Sequence, residues 1–228
     1  MLLTWGGIPE RTLYAVRTLD HVLANLKHDG DLHLVIADDG SPPAHLQRLL
    51  DVSDQYRDKL AKVHLSNSHG EGYGRNFNNA TGVAHEHAEY ILPLEDDWEL
   101  SRGLDTAPLI GALQDERIDC IRLGYLGFTA GFHGDTIHAA DQTYLLLDPE
   151  SPDPHVFSGH PRLETRTWER KVGLWPLELN PGATEWEVAH RKEARRGVVW
   201  PLDLIPAKPG AGSLFSHIGT VQARKDQR

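Results

Sequence analysis

Val35-Ile36-Ala37-Asp38-Asp39-Gly40-Ser41-Pro42-Pro43 is the stretch that decides the fold. A short apolar strand, Leu32 to Ala37, stops abruptly on two acids, a glycine, a serine and two prolines, which together form a dense turn signal. Downstream the pattern recurs: Tyr90-Ile91-Leu92-Pro93-Leu94 reads as a strand and ends on Glu95-Asp96-Asp97-Trp98. Between the two lie a short strand, Lys62 to Leu65, and the polar loop His69-Gly70-Glu71-Gly72-Tyr73-Gly74-Arg75-Asn76. Upstream, Pro9 to Lys27 has a first-turn proline and apolar residues Leu13, Val16, Leu19, Leu23 and Leu26 near helical spacing. Further helices are expected from about Ala44 to Lys59 and from about Asn76 to Glu89.

Strands alternating with helices favour an α/β fold with a mixed, mostly parallel central sheet flanked by helices and right-handed crossovers. Each acidic or glycine-rich cluster follows a strand, and open α/β sheets bind ligands at that carboxyl edge. The second half is less regular. Asp119 to Leu126, Gly127 to Phe132 and Gln142 to Leu147 read as strands, Pro149 to Pro161 as a proline-rich loop, Thr184 to Arg196 as a helix and Val198 to Leu204 as a late strand. No internal repeat or linker divides the chain, so residues 1–228 are expected to form one domain. Its acidic and glycine-rich clusters fall in the first hundred residues, and 101–228 is the less regular half with the tail.

A chain of 228 residues with 39% hydrophobic and 25% charged residues has the composition of a globular protein. A formal charge of −10 argues against a broad footprint for nucleic acid or an anionic membrane. The single cysteine, Cys120, permits no intrachain disulfide and reads as a small buried hydrophobe. No signal-like start precedes the first strand, and no apolar run approaches the roughly 20 residues of a membrane span. The expectation is a cytoplasmic protein, or at most one peripheral to a membrane, with its first strand starting almost at Met1.

The three segments Val35 to Ser41, Gly70 to Asn76 and Leu92 to Asp97, in that order, resemble the GT-A glycosyltransferases, particularly family 2. Those enzymes carry a strand ending in Asp-Asp-Gly-Ser, a glycine-rich stretch closing on Ala-Arg-Asn, and a strand ending in an Asp-rich metal motif. The chain departs in having Gly74 where the family has alanine and Glu95 where family 2 more usually has Asp. The resemblance implies transfer of a sugar from a nucleotide diphosphate, with UDP the expected carrier, to an acceptor that could be a glycan, lipid, small molecule, protein or modified nucleic acid.

The physical logic agrees with that implication. Asp38, Asp39, Glu95, Asp96 and Asp97 on one sheet edge would repel a diphosphate unless a divalent cation reversed the sign. Hard oxygen donors point to Mn²⁺ or Mg²⁺. This reading requires the acids to converge without being neutralised by basic side chains. The resemblance implies Asp97 as direct metal ligand, Asp96 near the donor ribose or sugar, and Asp38 or Asp39 accepting from a uracil imide beside Thr4. Asp39 could alternatively cap the following helix. Arg75 would add charge near the base or phosphates.

His217, in Phe215-Ser216-His217-Ile218-Gly219, resembles the late histidine that completes the metal shell in many GT-A enzymes. Inverting transfer needs a general base. Aligning Val188 and Arg191 with the family's base helix implies Glu185, with Glu187 as the runner-up. Trp168, Trp175 and Trp186 could form an acceptor platform or simply pack in the core. His85 and His87 read as surface residues. A metal-dependent nucleotidyltransferase or phosphohydrolase, a receiver domain and an inactive sugar-nucleotide binder are the competing readings. The first lacks the glycine-rich arginine loop or acid it needs after the first strand, and the chain is about twice too long for the second.

Overall fold

Strand residues that alternate between two apolar faces need a helical layer on each side, and His33–Asp38 does alternate in this way. Leu34 and Ile36 pack with helix residues Ala15, Leu19, Leu23, Leu49 and Val52. Val35 and Ala37 pack on the opposite face with Phe77, Ala80 and Ala84. A computed structural model describes residues 1–123, 134–148, 150, 159–201 and 214–221. In chain order the first half comprises β1 (Leu2–Thr4), α1 (Pro9–Asn25), β2 (Leu26–Lys27), β3 (His33–Asp38), α2 (Pro43–Gln55), β4 (Lys62–Asn67), α3 (Tyr73–His87), β5 (Tyr90–Ile91) and β6 (Leu94–Glu95). There follow β7 (Trp98–Leu100), β8 (Leu104–Asp105), α4 (Ala107–Ala112), β9 (Cys120–Arg122), β10 (Gly134–Ala139), β11 (Gln142–Leu147), β12 (Arg162–Thr165), α5 (Arg166–Val172), α6 (Pro181–Ala189), β13 (Val198–Val199) and β14 (Phe215–His217).

The expected α/β architecture is present, with its strands divided between two main sheets. One is four-stranded in the order β4-β3-β1-β6, and every pairing in it is parallel. The other is six-stranded in the order β10-β11-β13-β9-β12-β5, and there only β13 with β9 is parallel. The segment expected as one strand from Tyr90 to Leu94 is the hinge between them. Tyr90 and Ile91 pair with β12, while Leu94 and Glu95 pair with β1. Pro93, which has no N–H to give a ladder, stands at the changeover. Register sets Thr4, Asp38 and Asn67 side by side, with Glu95 opposite Leu3. The polar clusters therefore do share one sheet edge.

Several boundaries shift for local reasons. Helix α1 begins at Pro9 as read but ends at Asn25, because Leu26–Lys27 turns into a strand beside Leu104–Asp105. The late helix starts three residues before Thr184, at Pro181: Asn180 caps it by accepting from the Ala183 N–H, and proline suits the first turn. It stops at Ala189, and only a 3₁₀ turn, Glu193–Arg195, continues the expected span. Helix α5 went unread. Thr165 caps it through the Trp168 N–H, and Gly173 at φ 84° closes it.

The hairpin of β10 and β11 turns on Ala140 and Asp141 at φ 45° and 61°, without the glycine or asparagine that usually announces such a turn. Strand β11 matches its expected bounds. Of Asp119 to Leu126 only Cys120–Arg122 is strand among the described residues, and Gly127 to Phe132 lies outside them, as does most of Pro149 to Pro161; of Val198 to Leu204, Val198–Val199 is strand and 202–204 lie outside. Cys120 is fully buried. No helix among the described residues is long and apolar enough to cross a membrane.

Gly74 has a steric reason for replacing the alanine of the motif it resembles. A Cβ there would lie 1.9 Å from the Pro176 carbonyl oxygen, whereas one at Gly82 on the same helix meets nothing within 4 Å. Gly74→Ala is expected to lower stability by about 1–3 kcal/mol despite alanine's better helix propensity. Gly82→Ala should raise it by about 0.5–1 kcal/mol. Urea denaturation of the two variants tests this. Equal signs would contradict the packing described for α3.

Candidate active site

The first two motifs meet through backbone. Gly40, at φ 78°, lies so close to the loop before α3 that a Cβ would sit 2.8 Å from the Gly70 nitrogen. Asp39 Oδ1 accepts from Ser68 Oγ at 2.6 Å and from the Gly72 N–H at 3.1 Å. Asp38 does something different: its Oδ2 accepts from the Gly40 and Ser41 N–H groups, closing the turn. Of the two acids expected near a base, Asp39 lines the large cleft at the sheet edge and Asp38 holds the loop beneath it. Neither acid caps the following helix, which begins after Pro42 with no side-chain bond at its N-cap.

That cleft, of about 1140 Å³, is also lined by Thr4, Arg11, Glu95, Asp96, Asp97, Glu185 and His217. Thr4 Oγ1 donates to Asp96 Oδ2 at 2.9 Å and bonds His45 Nε2 at 2.8 Å, and the Trp5 N–H donates to the same Asp96 oxygen. Asp96 is fully buried. Its other oxygen is taken by Arg11, a residue in the first turn of α1, whose guanidinium also donates to Asp97 Oδ2 at 2.6 Å. Sequence reasoning missed Arg11, since it lies 85 residues away from its partner and belongs to no motif. The requirement for acids free of basic partners is thus met only in part. Arg11 neutralises Asp96 and one oxygen of Asp97.

The other oxygen, Asp97 Oδ1, is buried with no hydrogen-bond partner among the described residues. The tail delivers an imidazole beside this carboxylate. Strand β14 pairs with β7 so that His217 stands opposite Trp98, the Ile218 N–H donates to the Asp97 carbonyl, and His217 Nε2 lies 3.5 Å from Asp97 Oδ2. Gly219 lets the tail press this close, since a Cβ there would fall 2.3 Å from Asp97 Oδ2. Burial works against ionisation of Asp97, yet His217 and Arg11 together hold its carboxyl below the usual range. A carboxylate kept ionised, with one unpartnered oxygen and an imidazole alongside, is a donor pair suited to a hard divalent cation.

Across the cleft, Glu185 on α6 and Glu95 on β6 share a hydrogen bond, and the Gly159 N–H donates to Glu185. A Cβ on Gly159 would lie 2.5 Å from an oxygen of each. Burial, reinforced by the mutual repulsion of the two groups and of Asp97, pushes the Glu95 carboxyl well above its ordinary value, while Tyr73 bonds it. Burial likewise raises Glu185. Two carboxyls in hydrogen-bond contact hold one proton between them. Glu187, the alternative base, is exposed and pairs with Arg191 at 2.8 Å, outside the cleft.

Three further expectations are corrected. Arg75 does not line the cleft; it reaches back from α3 to Glu71, in the loop before the helix, at 3.0 Å. Trp168 and Trp175 are buried core residues, the latter stacked on Phe77 at 4.0 Å, so only Trp186, 62% exposed, is open to solvent. His85, expected at the surface, has a mostly buried side chain facing Glu169 at 3.1 Å, while His87 is exposed as expected and stacks on two other histidines.

The family model for glycosyl transferase family 2 matches residues 11–172. No curated protein sequence matches the chain. Among solved structures, TarS of S. aureus superposes with a TM-score of 0.63 at 16% identity, over 88% of this chain and 34% of that one. A shorter form, TarS 1-349 with UDP, gives 0.62 at 18%, over 87% and 56%. GalNAc-T7 with UDP, GalNAc and Mn²⁺ gives 0.57 at 17%, over 87% and 43%. The chain spans between about a third and just over half the length of these structures, and at such identities the likeness speaks for the GT-A fold alone.

Removing one partner of a buried ion pair strands the other charge. Arg11→Met is therefore expected to cost about 3–5 kcal/mol of stability. Arg75→Ala, at a half-exposed pair, should change it by less than about 1 kcal/mol. Equilibrium unfolding in urea distinguishes the two. Similar, small losses at both positions would show that Arg11 is not what balances the acids.

Proposed function

Because the chain belongs to glycosyl transferase family 2, we propose that it transfers a sugar from a nucleoside diphosphate donor to an acceptor hydroxyl, with inversion and with Glu185 as base. The observation that carries this reading is the convergence of Asp39, Asp97, His217 and Glu185 in one cleft. Nucleotides appear with proteins of the same fold: UDP with TarS and GalNAc-T7, and the sugar donor GDP-Man with a mannosyltransferase of Pyrobaculum calidifontis, the last two also with Mn²⁺. UDP is the donor carrier assigned here, with Asp39 and Thr4 at the base end of the cleft. Residues 1–100 form the donor side, and the remainder, with the tail that carries His217, completes the site and receives the acceptor.

Asp97 Oδ1 and His217 would hold the cation, Mn²⁺ or Mg²⁺, which when bound supplies Lewis-acid stabilisation of the departing diphosphate. The chain's own residues do the rest. Arg11 fixes both aspartates and takes up the charge of Asp96, so that only one carboxylate oxygen of the pair is left for a ligand. Glu185 takes the proton of the acceptor hydroxyl as that oxygen bonds to the anomeric carbon, and the electron pair of the breaking glycosidic bond leaves on the diphosphate. Glu95 keeps the proton it shares with Glu185 in the resting site, leaving Glu185 as the ionised member at the moment of attack.

Sugar transfer or donor hydrolysis should be lost in EDTA and restored by Mn²⁺. Asp97→Asn should lower kcat by about 100-fold or more, and Glu185→Gln by about 10²–10⁴. With Glu185 raised by burial, the acid limb of kcat/KM should lie above the ordinary glutamate range. Full turnover in chelator or by the Asp97 variant would overturn the metal assignment. An unchanged Glu185→Gln rate would remove the base.

A further inference from the structure

Three histidines gather at the end of the parallel sheet away from the cleft. His33 opens β3, whose other end carries Asp38, so the two ends are about 16 Å apart at roughly 3.3 Å per residue. Val35 pairs with His64 across to β4. His33 and His64 are therefore diagonal neighbours on one face of the sheet, within reach of long or aromatic side chains. Helix α3 covers that face, and its last residue, His87, arrives over both.

The rings lie close and nearly parallel. Their centroids are 5.3 Å apart for His33 and His64, 5.3 Å for His33 and His87, and 4.3 Å for His64 and His87. His33 Nδ1 and His64 Nε2 are 3.0 Å apart. One nitrogen from each ring lies within 4.8 Å of the other two.

Three imidazoles stacked at a half-exposed edge contribute little as a hydrophobic core, and any two of them repel once protonated. Burial, with the charges of His87, Lys62 and His33, lowers the pKa of His64, while Glu86 opposes the shift. His64 is thus favoured in its neutral form, the state in which imidazole offers a lone pair. We propose that His33, His64 and His87 form a second metal site, for a borderline transition-metal ion such as Zn²⁺. Nitrogen donors select Zn²⁺, Co²⁺, Ni²⁺ or Cu²⁺ over Mg²⁺ and Mn²⁺, so this site and the oxygen-rich cleft take different ions.

Zn–N bonds of about 2.0–2.1 Å place tetrahedral ligand nitrogens about 3.3 Å apart. The separation present, at most 4.8 Å, closes by side-chain rotation, for which His87 is exposed. Two ligands stand on hydrogen-bonded strands and the third on a packed helix, so the backbone that presents them is fixed. Glu86, with a carboxylate oxygen 4.0 Å from His87 Nε2, adds a compensating negative charge. The bound ion would tie the last residue of α3 to two strands of the central sheet and stabilise the folded chain by linkage. The site stands whether or not the cleft transfers sugars.

Cobalt provides the probe. Titrating Co²⁺ into the untagged chain at neutral pH should give a visible d–d absorption band with one equivalent bound at these histidines, together with a rise in Tm. Zn²⁺ should abolish the band by displacement. His87→Ala, a surface change that leaves the fold intact, should remove that band and the Tm rise. It should also weaken binding by more than the roughly 10–100-fold that loss of an outer-shell partner costs. His64→Ala should do the same, and Asp97→Asn should leave the band in place. No band in the unsubstituted chain, a band that survives His87→Ala, or one lost in Asp97→Asn would each overturn the proposal.

Discussion

Three consecutive acids at the end of one strand repel one another unless a positive charge is built in among them, and in this protein that charge is Arg11. Its guanidinium bridges Asp96 and Asp97, both buried. The pairing satisfies Asp96 completely, with Thr4 and the Trp5 N–H on its other oxygen, and satisfies Asp97 by half. What remains at the strand end is one unpartnered oxygen of an ionised carboxylate whose other oxygen has an imidazole 3.5 Å away. The third acid, Glu95, escapes the repulsion differently, by turning to Glu185 and Tyr73 and holding a proton.

The surrounding fold serves that arrangement. Register in the parallel sheet sets Thr4 and Asp38 side by side and Glu95 next to Leu3, while β14 brings His217 back against β7. Glycines stand where the chain must come close: Gly40 against Gly70, Gly159 over the two glutamates, Gly219 against Asp97. Each removes the side chain that would hold apart two segments distant in sequence. The cleft is therefore assembled from the edge of the parallel sheet, the first turns of α1 and α3, the segment leading into α6, and the tail.

Much of this was legible in the sequence, where it depended on local pattern. The apolar runs ending in acids gave the strands of the parallel sheet and the edge they share, and Pro9 gave the start of α1. Asp39, Asp97, His217 and Glu185 were nameable because each sits in a motif of recognisable order. Arg11 was not, since nothing near it in the chain speaks of Asp96. Arg75 belonged to a motif but turned back to Glu71, in the loop before α3, a partner that a linear match does not weigh. Asn180-Pro181 and Thr165 are caps that the sequence displays, while the Ala140-Asp141 turn has neither glycine nor asparagine. The grouping of His33, His64 and His87 needed the strand register, which no single segment contains.

The central claim is that Arg11 leaves Asp97 with one oxygen for a cation beside the nucleotide. Anomalous diffraction from crystals grown with Mn²⁺ and UDP tests it most directly. The account predicts a manganese peak within bonding distance of Asp97 Oδ1 and His217 Nε2, in contact with the diphosphate, with Arg11 still on Asp96. A diphosphate bound with no such peak, its charge met by Arg11 swung away from the aspartates, would contradict it.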